Sequence, residues 1–361
     1  MKTTSLNAIH RAAGATMVPF AGWDMPVSYA GTVSEVEAVR TGAGLFDVSH
    51  MGEVRVTGPG AFAFLQSITT NDLARIGPNQ AQYSLLLNPN GGVIDDIIIY
   101  ELADDDFMVV VNAGCKDKDW DWIRAHAAGS GSFLLNDESD HTALLAVQGP
   151  KAIDIVNNLS DSSRVSSLVR FELREDVVGG IRCLVARTGY TGEDGCELFC
   201  AWDDAPALWE KLTAAGVIPA GLGARDVLRL EAAYPLYGHE LLDDVSPLES
   251  GAGWAVKTKK RDFIGKSAVV DKKTAGVNRK LVGLRMVERA IPREGYPVLS
   301  TSGDIIGQVT SGTYSPTVKA GIALARVDVA HSTIGAELIV DIRGRQQKAT
   351  VVELPFYRNG V

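Results

Sequence analysis

At 361 residues the chain is long enough for two or three domains, and 46% hydrophobic against 22% charged residues is ordinary for a globular protein. A formal net charge of −9 excludes nucleic-acid binding through general basicity, although a local Arg cluster can still grip an anionic substrate. The first seven residues hold no apolar core of signal-peptide length, and no apolar run approaches the ~20 residues of a membrane span.

In chain order, residues 8–13 carry a short helical pattern that Gly14 can end, and residues 17–27, with two prolines, read as extended and turn-rich. Residues 32–41 predict a helix with Ser34 as its cap and Glu35 and Glu37 in the first turn. Residues 44–56 alternate as one strand, and a helix starts at Pro59 and runs to Gln66. Residues 82–87, 91–100 and 107–112 predict an antiparallel meander, with the Asp104–Asp105–Asp106 triplet as a solvated tip. A helix over 116–127, a strand over 142–147 and a helix over 150–159 follow. Strand, Gly-Pro and helix therefore recur at 54–66 and 144–159, which suggests two related α+β halves. Strands are expected at 171–173, 181–186 and 196–201, and a helix at 205–215 with Leu208 and Leu212 on one face. Beyond a linker at 271–279, short strands at 281–286, 295–299, 305–310, 321–327, 337–342 and 347–352 read as a small all-β barrel or sandwich.

Chemistry is most legible in residues 91–100, where Gly91-Gly92 turns into a Val/Ile strand carrying Asp95 and Asp96. Alternation puts Asp96 on the face of Ile94, Ile98 and Tyr100, and Asp95 on the face of Ile97 and Ile99. A carboxylate among β-branched neighbours needs a polar cavity or a partner, unless the pair lies at a solvated strand end. The Gly-rich loop at 189–195 is not a P-loop, and Gly221-Leu222-Gly223 lacks the third glycine of a dinucleotide turn. Arg225 and Arg229 stand at i, i+4 on a helix, with Asp226 able to pair with Arg229, a pattern usual for a surface salt-bridge ladder. Six histidines are scattered, and no Gly-x-Ser-x-Gly or His-Glu-x-x-His occurs. The four cysteines form no Cys-x-x-Cys; Cys196 and Cys200 share a strand face with no His nearby, so free buried thiols in a reducing, cytoplasmic setting are expected. These residues reach an α+β protein with a site for an anionic or heteroaromatic small molecule, and no further.

Residues 18–26, 44–53, 91–96, 189–195 and 222–226 resemble the aminomethyltransferase family, the T proteins of the glycine cleavage system. Pro247-Leu248-Glu249, residues 262–266, residues 309–312 and Leu354-Pro355-Phe356-Tyr357 continue the resemblance in order over nearly the whole chain. One departure is Glu35-Val36, where the family often has Glu-His. The resemblance implies an α+β fold: two interleaved α+β domains and a C-terminal antiparallel β-barrel around a central folate channel. On that scheme residues 1–270 are the folate-binding region (about 1–52 plus 140–245, and about 53–139), and residues 279–361 the barrel. It also implies transfer of the aminomethyl carbon from the lipoyl arm of H protein to tetrahydrofolate, releasing ammonia and forming 5,10-methylenetetrahydrofolate. No metal, nucleic acid or membrane enters the implied reaction.

Asp96 matches the family's catalytic Asp; a carboxylate in a confined channel stabilises an iminium-like cation and can relay a proton. Glu197 matches the acceptor for the N–H donors of the pterin ring. Met51, Tyr83, Asn112, Tyr190 and Trp254 match or neighbour folate-pocket positions, and Arg225 and Arg358 match positions that hold folate or orient the site. A folate-dependent demethylase of the same superfamily is the enzymatic rival. A folate-binding iron–sulfur maintenance protein is the non-enzymatic one, but its Lys-Gly-Cys hallmark is Thr188-Gly189-Tyr190 here, without the Cys.

Overall fold

The computed structural model describes residues 1–129 and 131–358. Two compact units form: residues 1–68, 72–84 and 97–226 make the first, and residues 69–71, 85–96 and 227–361 the second. The architecture is α+β, ending in a closed barrel.

The first unit is built on a six-stranded sheet in the order Leu173–Val178, Ile181–Ala186, Gly195–Ala201, Thr142–Gln148, Gly44–Asp47 and Ile218–Pro219. Its pairs are antiparallel, except that Ile218–Pro219 runs parallel to Gly44–Asp47. Helices Ala152–Leu159 and Ala205–Ala214 supply apolar residues to one face, so Val156, Leu208, Trp209 and Leu212 join Leu145, Val147 and Leu198 in a core. Truncating Leu208 or Leu212 to Ala there would cost about 2–5 kcal/mol. A second sheet has the order Gln80–Leu87, Val93–Ala103, Asp106–Val111, Gly52–Thr57 and Leu134–Asp137. Its first three strands are the expected meander.

Residues 44–56, read as one strand, form two, Gly44–Asp47 and Gly52–Thr57, which join different sheets across a turn at Ser49-His50. All four residues of the first strand and most of the second are buried, so the apolar pattern runs on through the turn and hides the break. The helix at Thr32–Thr41 forms, but Ser34 does not cap it: its hydroxyl donates to the Gly31 and Ala30 carbonyls. Glu35 closes that end instead, accepting from the backbone N–H groups of Tyr29, Ala30 and Gly31. Residue 171 stays out of the sheet because Phe171 is left-handed (φ 68°), and the strand starts at Leu173. At the triplet Asp104 and Asp105 are exposed, while Asp106 forms a two-pronged ion pair with Arg55 at 2.5 and 2.6 Å.

The second unit contains the barrel. Its closed circuit runs Arg279–Met286, Ala320–Asp328, Ile305–Ser315, Pro297–Leu299, Glu337–Ile342 and Arg345–Val352, then back to the first strand, all antiparallel. Inward residues such as Val282, Leu284, Val298, Val327, Val340 and Val351 fill it. The expected linker at 271–279 is mostly helix: Lys266–Ala275 runs through it until Gly276, at φ 85°, ends the turn. Its Lys-rich sequence reads as linker, yet Val269 is buried and Lys272 pairs with Glu249 at 2.6 Å.

Arg229 is not part of a surface ladder. It is 2% exposed, bonds Glu240 at 3.0 Å and Ser311 Oγ at 2.9 Å, and Glu240 also accepts from Thr310 at 2.6 Å. The turn leading to Asp95 and Asp96 is held by Asn88, whose side chain accepts from the N–H groups of Asn90 and Gly92 and donates to the Asp243 carbonyl at 2.7 Å. A Cβ at Gly92 would lie 1.7 Å from that carbonyl oxygen, so only glycine fits. Among the described residues no helix is long and apolar enough to cross a membrane.

Candidate active site

Glu197 lies on strand Gly195–Ala201, opposite Ala186 on one neighbour and Ala146 on the other. Cys196, Leu198 and Cys200 of this strand enter the helix-covered core, so alternation turns Glu197 and Phe199 to the other face. Tyr100 meets them there. Its ring packs edge-on against Phe199 with centroids 5.3 Å apart, and its hydroxyl lies 3.3 Å from Glu197 Oε2. Thr188 donates to the same oxygen at 2.5 Å. Burial, aided by the Glu197 charge, pushes the Tyr100 hydroxyl well above its ordinary value, so it remains a proton donor.

The loop carrying Thr188 and Tyr190 is pinned by Gln148. The Gln148 amide donates to the Thr188 carbonyl at 3.2 Å, and its oxygen accepts from Thr191 at 2.9 Å. That clamp needs glycine at 189, because a Cβ there would fall 2.0 Å from Gln148 Oε1. Arg225 enters from helix Leu222–Glu231, whose first turn is anchored by the Gly221 N–H on Glu35 at 2.9 Å. Its guanidinium stacks over Tyr190, 4.9 Å from the ring centroid. Burial pulls its pKa below the ordinary range, against the opposing pull of Glu197 and Tyr190; an arginine stays charged regardless. Arg225 Nη1 has no hydrogen-bond partner among the described residues, so this buried cation keeps an unspent donor near the Glu197 carboxylate.

Two further buried groups lie in this unit. His50 is 4% exposed and its Nδ1 has no partner among the described residues. Burial pushes its pKa down to about 4, with Arg225 assisting and Asp47 opposing, so the imidazole is neutral near pH 7. Asp47 itself resists the upward push of burial because His10 at 2.8 Å and Thr4 at 2.6 Å hold its carboxylate. Glu53 is fully buried, and neither carboxyl oxygen has a partner among the described residues. Burial, with Asp137 and Glu138, raises its pKa well above the ordinary range despite Lys116.

The structure brings together Glu197, Tyr190 and Arg225 of the residues expected from sequence. Asp96 is half-buried on Val93–Ala103, on the strand face that carries Ile98 and Tyr100, whereas Asp95 is completely buried, so neither is a solvated strand-end residue. Tyr83, in strand Gln80–Leu87, is half-buried, as are Met51, just before Gly52–Thr57, and Asn112, just after Asp106–Val111. In the second unit Trp254 is 60% exposed on the turn Gly253–Ala255, and Arg358 is exposed and paired with Glu353 at 3.1 Å. Tyr100, Thr188 and His50 carried no sequence signal of their own. Tyr100 was reachable, because it sits four residues from Asp96 on the same strand face.

A buried acceptor, a buried cation with a free donor and an aromatic wall suit a flat, polar heterocycle with an anionic substituent. Two family models match: the GCVT N-terminal domain over residues 6–260 and the glycine cleavage T-protein C-terminal barrel domain over residues 279–358. The chain belongs to the aminomethyltransferase family. It is 50% identical to the aminomethyltransferase of Symbiobacterium thermophilum, covering 99% of this chain and 98% of that one. It is 47% identical to that of Bacillus subtilis, covering 99% of each. The crystal structure of glycine cleavage system aminomethyltransferase T from Bartonella henselae superposes with a TM-score of 0.92 at 35% identity, covering 99% of this chain and 98% of that one. As a member of this family the chain is a transferase, and the family's C-terminal barrel is the one built by residues 279–352.

Proposed function

We propose that the chain transfers the aminomethyl carbon from the lipoyl arm of H protein to tetrahydrofolate in the cytoplasm, yielding 5,10-methylenetetrahydrofolate, ammonia and the dihydrolipoyl arm. The observation that carries this reading is Glu197: a carboxylate on a residue only 7% exposed, with Oε2 engaged by Thr188 and Tyr100, which leaves recognition to its second oxygen. Such an oxygen accepts from a ring edge that presents N–H groups, as the aminopyrimidine edge of a pterin does. Tyr190, backed by the Arg225 guanidinium, supplies an aromatic face, and Arg225 Nη1 supplies a donor for a ligand oxygen. Met51, Tyr83, Asn112, Trp254 and Arg358 complete the set assigned to folate.

Asp96 is assigned the chemical step. Positive charge develops at the carbon in transfer, and a fixed carboxylate in a water-poor site lowers the energy of that charge and moves a proton. The aminomethyl donor is a protein-borne arm, so H protein is the assigned partner.

The test is tetrahydrofolate-dependent ammonia release from aminomethylated H protein, with wild type and Asp96→Asn compared. The expected loss in kcat is about 10²-fold or more, with folate affinity changed by less than about tenfold. Equal rates in the two proteins would remove Asp96 from the reaction. Folate binding by wild type without any ammonia release would remove H protein as the donor.

A further inference from the structure

We infer that Tyr100 and Thr188 are positioning residues that decide which oxygen of Glu197 meets the substrate, and thereby select a ring edge made of donors. The inference rests on the reading of Glu197 as the acceptor for the folate ring.

Three polar atoms form a closed triangle. Thr188 Oγ1 lies 2.5 Å from Glu197 Oε2, while Tyr100 Oη lies 3.3 Å from that oxygen and 3.3 Å from Thr188 Oγ1. Each hydroxyl has a single proton. Thr188 spends its own on Glu197, and the Tyr100 proton goes either to Glu197 or to the Thr188 oxygen. Both arrangements occupy Oε2, so Oε1 is the oxygen that neither hydroxyl takes, on a residue only 7% exposed.

The triangle is rigid. Tyr100 is 1% exposed and its ring is fixed against Phe199, so the hydroxyl cannot swing out. Thr188 is held from behind by Gln148, itself 1% exposed, whose amide donates to the Thr188 carbonyl. Neither hydroxyl needs to touch the ligand to matter. Together they aim the carboxylate and supply the donors that a buried charge requires. Because a carboxylate oxygen can only accept, a ring edge with an N–H and an amino group fits, whereas one with an acceptor or a methyl in the amino position offers Oε1 no donor.

The experiment uses the full-length chain with Thr188→Val, Thr188→Ser and Tyr100→Phe. The probes are 5-formyltetrahydrofolate and its analogue with methyl in place of the ring amino group, measured by calorimetry alongside ammonia-release kinetics. Thr188→Val is expected to weaken binding of the amino probe and raise KM by about tenfold or more, with kcat within about twofold. Thr188→Ser is expected to restore both. The preference for the amino probe over the methyl analogue is expected to shrink in Thr188→Val. Tyr100→Phe keeps the ring packing and supplies a separate reading should Thr188→Val fail to fold; a fewfold rise in KM is expected.

If wild type binds the amino probe and Thr188→Val binds it equally well, the inference falls and the proposed function stands. A loss that Thr188→Ser does not recover, or one confined to kcat, also overturns it. If wild type does not bind the probe at all, the reading of Glu197 falls first and takes the inference with it.

Discussion

Glu53 carries the clearest stability signature in the first unit. It is fully buried, neither of its oxygens has a partner among the described residues, and burial raises its pKa well above the ordinary range. The unfolded chain releases this proton near the ordinary Glu value of about 4.3, while the folded chain keeps it to higher pH. Between those two values the native state binds more protons than the unfolded state, so this group's contribution to stability falls as pH rises. The slope is about 1.4 kcal/mol per pH unit throughout that interval. Glu53→Gln keeps the shape and removes the titration, at a cost for the buried amide that does not change with pH. Urea unfolding of both proteins from pH 4.5 to 8 should show the difference moving in favour of Glu53→Gln by up to about 1.4 kcal/mol per unit above the unfolded value and levelling off once the folded-state pKa is passed. Other titrating groups, such as the pair His10–Asp47, are common to both proteins and cancel in the difference. A difference that stays constant across this range would refute the reasoning, because it would mean that Glu53 ionises alike in both states.

Two further outcomes follow from buried groups. Arg229→Ala leaves Glu240 as an uncompensated buried carboxylate and should cost about 3–5 kcal/mol in urea unfolding, whereas an exposed pair such as Arg358–Glu353 should cost under about 1 kcal/mol. His50, with its pKa pushed down to about 4, should keep the NMR signature of a neutral ring from pH 7 down to pH 5. A titration midpoint near the ordinary value of about 6.5 would contradict its burial.

The barrel and the meander were legible because their strands alternate in short, glycine-bounded runs, and alternation is local information. The same signal misled at residues 44–56, where one pattern spans two strands in two sheets. Composition misled at 271–279, where lysines on the outside of a helix look like a linker until Val269 is seen to be buried. Glu35 and Ser34 show why caps are hard to read: an Asx- or Ser-type rule favours Ser34, yet Glu35 reaches three upstream N–H groups and Gly221, which is far away in sequence. In the site, Glu197 and Arg225 were found through motif resemblance. The contact that fixes Glu197, to Tyr100 across 97 residues of chain, is one that no local pattern encodes.

The rims of the sheets bear on how the protein behaves when concentrated. A closed barrel has no edge, so none of its six strands offers a free backbone to another chain. The six-stranded sheet ends on one side at Leu173–Val178, where Arg174, Glu175 and Asp176 sit in succession, and on the other at a two-residue strand containing Pro219. The five-stranded sheet ends at Leu134–Asp137, four residues long, and at Gln80–Leu87, whose outer side is met by bridges from Glu172 to Gln80 and from Thr69 to Leu86. Among the described residues, each rim of these two larger sheets is therefore charged, very short, interrupted by proline or already bridged. Edges blocked in these ways are poor templates for a strand from another chain.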